Sequence, residues 1–140
     1  MRHLKKGRKL GRTKSHRAAT LRALAAGLIE HEAITTTVPK AREASRFVDR
    51  LITTARGGTL AARRLVASRL ASETAAKKLF EDIAPRFAQR AGGFTRVTKL
   101  AQFRVGDASQ LARLELTEMK EKPKAEKKKK GEKDKKEEKK

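Results

Sequence analysis

A small α+β domain is expected from three features of this 140-residue sequence. Apolar residues recur at intervals of three and four through most of residues 15–83, the repeat of amphipathic helices. Short β-branched or alternating runs fall near residues 32–38 and across residues 94–117, as strands require. Glycine and proline separate these runs at Pro39, Gly57-Gly58, Pro85 and Gly92-Gly93. The expected architecture is about four helices followed by a hairpin, with one early strand joining the hairpin in a three-stranded sheet. A basic N-terminal arm over residues 1–14 precedes the globular domain of residues 15–119. A Lys-rich tail over residues 120–140 follows it, and no internal repeat is visible.

The first helix is expected from Ser15, a natural N-cap, with Ala18, Leu21, Ala25, Leu28 and Ile29 as its apolar stripe. His31 then falls at its C-terminus, where the helix dipole favours a cation. The run from Glu32 to Val38 is short and β-branched and suits a strand. Pro39 closes it and fits the start of the next helix, where its missing N–H is no loss. Between Lys40 and Arg56, Ala41, Ala44, Val48, Leu51, Ile52 and Ala55 share one face, and Arg42, Arg46 and Arg50 form a row on another. Gly57-Gly58 ends that helix. Two further helices are expected over Thr59 to Leu70 and Ser72 to Ile83, the second with Ala75, Ala76, Leu79, Phe80 and Ile83 on its apolar face and Pro85 as its stop. Phe94 to Val105 and Leu111 to Thr117 read as strands joined by the turn-forming residues 106–110.

Charge narrows the partner. The chain has 37 Lys or Arg against 16 Asp or Glu, a formal net charge of +21. A compact domain with such an excess repels itself unless an anionic partner screens it. Nine of the basic residues fall within the first 22 positions, where no acidic residue occurs. With few apolar residues and with glycines at Gly7 and Gly11, the first half of that stretch cannot bury a core and is expected to stay extended until a partner orders it. The tail holds twelve Lys and six Asp or Glu with no large apolar residue, a composition expected to be disordered and loosely electrostatic or solubilising in role.

Other partner classes fit less well. No apolar run approaches the roughly 20 residues of a membrane span, and there is no Trp or Tyr for an interfacial belt. A secretory signal lacks its apolar segment. The absence of cysteine fits a reducing compartment and removes thiolate metal sites, so the protein is read as cytoplasmic. His3, His16 and His31 form no metal-type pair, and no phosphate loop or acidic trio is present. No enzymatic activity, cofactor or small-molecule substrate is therefore expected, which leaves nucleic acid as the leading partner. A DNA-compacting protein lacks a groove-entering motif here, and a nuclease lacks its carboxylate cluster.

Within the arm and the helix start, Arg2, His3, Lys5, Lys6, Arg8, Lys9, Arg12, Lys14, His16 and Arg17 are the expected nucleic-acid contacts. Arg86, Arg90 and Arg96 form a second basic cluster around Gly92-Gly93. They are expected to lack a neutralising carboxylate run and so to serve as a second anchor, since guanidinium forks match phosphate geometry. Phe87 and Phe94 are assigned to the core. The rows at Arg42, Arg46 and Arg50 and at Arg63 and Arg64 are less specific.

Four separated blocks share one resemblance. Met1-Arg2-His3-Leu4-Lys5-Lys6-Gly7-Arg8, Ser15-His16-Arg17, Ile34-Thr35-Thr36-Thr37-Val38-Pro39-Lys40-Ala41 and the stretch from Pro85 to Arg96 resemble the L-seventeen family of bacterial large-subunit ribosomal proteins. The resemblance covers roughly Met1 to Thr117, in order and at the family's spacing. It implies a structural constituent of the 50S subunit that binds 23S rRNA near the exterior of the peptide exit tunnel, beside neighbouring large-subunit ribosomal proteins. Phe94 stands where the family pattern commonly has Tyr, and the tail after Glu118 lies outside the shared domain.

Overall fold

The structure, a computed structural model, describes residues 7–119. Arg2, His3, Lys5 and Lys6 of the expected arm, and the whole Lys-rich tail, lie outside the described residues. Helix α1 (Lys14–His31) leads through Glu32 into β1 (Ala33–Thr37), and α2 (Val38–Arg56) follows directly. Helix α3 (Leu60–Leu70) precedes α4, which begins as Glu73–Lys78 and continues through Leu79–Ile83 and Ala84–Arg86. Strands β2 (Thr95–Phe103) and β3 (Gln110–Leu116) complete an antiparallel sheet of order β1-β3-β2. The expected α+β class, the four helices and the joining of the early strand to the hairpin are all present.

Helix α2 is the spine. The six residues expected on its apolar face are all buried, and α2 touches every other element. Full burial of its Val48, Leu51 and Ile52 stabilises the fold by about 2 kcal/mol per side chain. Beneath α2, alternation along β3 turns Ala112, Leu114 and Leu116 inward and leaves Arg113 exposed between them. Register is set by pairs such as Ile34 with Leu114 and Val97 with Leu114. Phe87 and Phe94 are buried, as expected, and meet edge to face with centroids 5.3 Å apart.

Three features of the helices differ from the sequence reading. Helix α1 starts at Lys14 with Thr13 in the extended N-cap conformation, so Ser15 already lies inside the first turn. The apolar stripe of α1 enters the core only in its second half. Ala25, Leu28 and Ile29 are buried, whereas Leu21 is half-buried and Ala18 exposed. Pro85 does not stop α4. A proline cannot supply an N–H, and its ring crowds the carbonyl of the preceding turn in a regular α-helix. Here the preceding turn Leu79–Ile83 is a π-turn, with the Ala84 N–H bonded to the Leu79 carbonyl, and this widening lets the helix pass Pro85 and run on to Arg86.

The flanking helices end as their residues dictate. Thr59 Oγ1 accepts from the Ala62 N–H at 3.2 Å, and Ser72 Oγ accepts from the Ala75 N–H at 3.3 Å, capping α3 and α4. Past α2, Gly58 takes a positive φ of 62°.

One polar network ties α2 to the edge of β2. Thr95 Oγ1 donates to Asp49 Oδ1 at 3.0 Å and lies 2.8 Å from Ser45 Oγ. The Asp49 pKa lies above its ordinary 3.8 because partial burial penalises the charge, even though hydrogen bonds from Thr95 and from the Phe94 backbone oppose that shift. Ionisation of Asp49 thus works against folding. Its favourable contribution is complete below pH 3.8 and is lost as pH rises through the folded-state value. Asp49→Asn should therefore gain stability relative to the parent chain as pH is raised from 3 to 7, read from urea midpoints. Asp49→Ala, which strips acceptors from the Thr95 hydroxyl and from backbone N–H groups, should cost about 2 kcal/mol at pH 3 and less at pH 7.

Candidate nucleic-acid interface

The arm approaches the body alongside α2. A Cβ added at Gly7, whose φ is 104°, would lie 3.4 Å from Glu43 Oε2. The chain then reverses in a turn closed by the Arg12 N–H on the Lys9 carbonyl at 3.2 Å. Leu10 and Gly11 both have positive φ, 57° and 61°, the signature of a type I′ turn. Glycine adopts this freely, whereas a leucine there costs about 1 kcal/mol. Arg12 Nη1 donates to the Leu10 carbonyl at 2.9 Å. Its Nε is the one buried side-chain polar atom among the described residues that lacks a hydrogen-bond partner.

The arm feeds into the exposed half of α1. The first turn of that helix holds no acidic residue to complement its positive end. Lys14 and His16 are exposed and Arg17 half-buried, as Arg8 and Lys9 of the arm are exposed. From here a groove of about 360 Å³ opens between α1, α2 and α3. Five cations line it, namely Lys14, Arg17 and Arg22 from α1, Arg50 from α2 and Arg69 from α3. Its floor is apolar, built from Leu21, Phe47 and Leu51, and no carboxylate lines it.

None of the five cations takes part in the ion pairs formed among the described residues. Like charges gathered in one concave site raise its potential and attract an anion. A sugar-phosphate backbone fits this arrangement, with phosphates on the guanidinium rim and ribose over the apolar floor.

The second expected cluster is built differently. Arg86 has 19% of its side chain exposed and grips Glu32 with both terminal nitrogens, Nη2 to Oε1 at 2.9 Å and Nη1 to Oε2 at 3.4 Å. It also lies 3.7 Å from Asp82 and donates to the Glu118 carbonyl at 2.9 Å. Arg90 donates to the Gly92 carbonyl and lies 3.7 Å from Glu118 Oε1, while Arg96 lies 3.9 Å from Glu115 Oε1 across the β2–β3 pairing. The expected absence of neutralising carboxylates is thus corrected. Each arginine has an acidic neighbour, supplied mostly from elements distant in sequence. Arg90 and Arg96 keep exposed faces, and Arg86 is an internal clamp.

The family model for ribosomal protein L17 matches residues 20–117. The chain is 55% identical over 118 residues to the large ribosomal subunit protein bL17 from each of two strains of Thermus thermophilus, covering 84% of this chain and 100% of each relative. It is 52% identical over 118 residues to bL17 of Novosphingobium aromaticivorans, covering 84% of this chain and 83% of that relative. The chain belongs to the ribosomal protein L17 family.

As a member of the L17 family it is a structural ribosomal protein rather than an enzyme. Among the described residues no helix is long and apolar enough to cross a membrane. Of the groove residues, the sequence points to Lys14 and Arg17, gives Arg50 only as part of a less specific row, counts Arg22 in the basic run without assigning it a contact, and does not single out Arg69. The i, i+4 row through Arg50 was a usable signal. Arg69 had none, because only the packing of α3 beside α1 and α2 brings it into the groove. Arg86→Ala should lower the unfolding free energy of this L17-family chain by about 2 kcal/mol in urea titrations, because it removes the part-buried guanidinium fork that joins α4 to Glu32 and the Glu118 carbonyl. Arg86→Lys should recover only part of the loss, since an ammonium cannot form the fork.

Proposed function

We propose that this chain is a structural component of the large ribosomal subunit that binds 23S rRNA near the exterior of the peptide exit tunnel, in the cytoplasm and among neighbouring large-subunit ribosomal proteins. The observation that carries the RNA assignment is the groove in which Lys14, Arg17, Arg22, Arg50 and Arg69 converge without a carboxylate. The names of the relatives support the large subunit as the assembly. The position at the tunnel exterior rests on the resemblance of the motif blocks.

In this reading Arg2, His3, Lys5, Lys6, Arg8, Lys9, Arg12, Lys14, His16 and Arg17 thread the RNA as a continuous basic strip, and the groove extends that strip across the folded body. The exposed faces of Arg90 and Arg96 add peripheral phosphate contacts. Arg86 contributes through the fold, joining the end of α4 to Glu32 and to the Glu118 carbonyl.

The triple variant Arg22→Gln, Arg50→Gln, Arg69→Gln tests the groove. It should fold normally by circular dichroism yet bind a 23S rRNA fragment more weakly. The slope of log affinity against log salt should flatten by about 0.7–0.9 for each phosphate that is no longer neutralised. Unchanged affinity and slope would sink the groove assignment. A density map of the large subunit containing this chain tests the tunnel position, and density for its fold at any other location would refute it.

A further inference from the structure

The far end of the β2–β3 hairpin departs from the rest of the molecule in both charge and polarity. Past Lys99 the pairing slips, the step from Lys99 to Phe103 on β2 being matched by the step from Ala112 to Gln110 on β3. Such a bulge bends a strand and re-aims its side chains. All residues from 101 to 108 are exposed. Phe103 is 61% exposed and Val105 99% exposed. The other large apolar residues on the surface, Leu60, Leu65 and Met119, belong to other parts of the chain. Single exposed apolar residues are ordinary, but two of them two residues apart at a projecting tip form a local apolar patch.

The tip is also charge-neutral within a chain of net charge +21. Across residues 100–111 the only charged residues are Arg104 and Asp107, and they are bonded to each other. Arg104 Nε donates to Asp107 Oδ1 at 2.8 Å and Nη2 donates to Oδ2. Ser109 adds its hydroxyl on Asp107 Oδ2 at 2.6 Å and its N–H on Oδ1 at 3.3 Å. Hydrogen bonds from Arg104 and then Ser109 hold the Asp107 carboxyl well below the usual carboxylate range, so the pair stays ionised and mutually neutralised.

Backbone bonds from the Arg104 N–H to the Ser109 carbonyl and from the Ala108 N–H to the Arg104 carbonyl complete the loop. Gly106 and Ala108 hold positive φ values of 106° and 48°. The loop is therefore shaped before it meets a partner, which lowers the entropic cost of docking.

We infer that the β2–β3 hairpin tip docks through Phe103 and Val105 into an apolar cleft on a neighbouring protein of the large subunit. Charge decides between protein and RNA as the occupant. A surface facing phosphates carries available cations, as the groove between α1, α2 and α3 does. The single cation at the tip is already paired with Asp107 on its own loop, so the tip carries no net charge to draw a phosphate. An uncharged aromatic and aliphatic pair on a pre-shaped loop suits the apolar core of a protein interface. The inference rests on the proposed place of the chain in the large subunit.

The experiment uses the full chain assembled in 50S particles, with the photoreactive residue p-benzoylphenylalanine replacing Val105. Irradiation should join position 105 to a peptide of a stoichiometric 50S protein, identified by mass spectrometry. An adduct to rRNA, or no adduct from particles that contain the chain, overturns the docking inference and leaves the groove assignment standing. Absence of the chain from 50S particles refutes the proposed function, and this inference falls with it. In parallel, the double variant Phe103→Ser, Val105→Ser should be retained on the particle about tenfold less well, with the salt dependence of retention unchanged. Equal retention, or a loss that disappears at high salt, contradicts an apolar protein contact.

Discussion

The ion pair between Arg86 and Glu32 fixes how the helical layer meets the sheet. Glu32 is the only residue between α1 and β1 and holds a φ of 62°, an unfavourable value for a residue with a side chain. Its N–H closes the end of α1 on the Leu28 carbonyl, and its own carbonyl accepts from the Leu116 N–H at the end of β3. Arg86 holds the carboxylate of the same residue and, through Nη1, the carbonyl of Glu118 just beyond β3. One side chain thereby joins the end of α1, the end of α4 and the exit of the sheet. Removal of either partner takes one of these ties from the strained junction.

That clamp exists because α4 does not end where its sequence says it should. A regular helix halted before Pro85 would leave Arg86 in a loop with no fixed aim. The π-turn over Leu79–Ile83 instead carries the helix to Arg86 and keeps Leu79 and Ile83 buried. The apolar stripe of this segment was legible, and so was the preference of proline for a helix boundary. The compensating turn was not, because it arises from tertiary packing around the helix and has no local residue signature. By contrast, α2 was legible almost to the residue. Its helix start is favoured by Pro39, its stop by paired glycines, and its six buried positions follow a single helical face.

Candidate site residues divide along the same line. Lys14 and Arg17, which line the groove, were readable as a cationic stretch because they sit in an acid-free basic run of the sequence. The cluster at Arg86, Arg90 and Arg96 looks equally basic along the chain, yet folding brings Glu32, Glu115 and Glu118 to it from other elements. Arg50 and Arg69 follow the opposite course, scattered in sequence and gathered by the packing of α2 and α3. Counting charge along a chain misses a folded cluster, because such a cluster is defined by which charges remain unpaired once the chain has packed.

The same criterion separates the ends of the molecule. In the groove, five cations are held near one another with no carboxylate between them, an arrangement that raises the energy of the isolated fold and is relieved by bound phosphate. The strained Leu10 turn and the partnerless Nε of Arg12 lie in the arm that leads to it. Such local costs persist where the surroundings over-determine them, and a polyanion laid along the arm and groove supplies such surroundings in the proposed reading. At the hairpin tip the order is reversed: Arg104 and Asp107 neutralise each other, and apolar surface is what remains unsatisfied. Unpaired cations and unpaired apolar side chains require different partners, so in the proposed reading this L17-family chain joins RNA at one surface and protein at another.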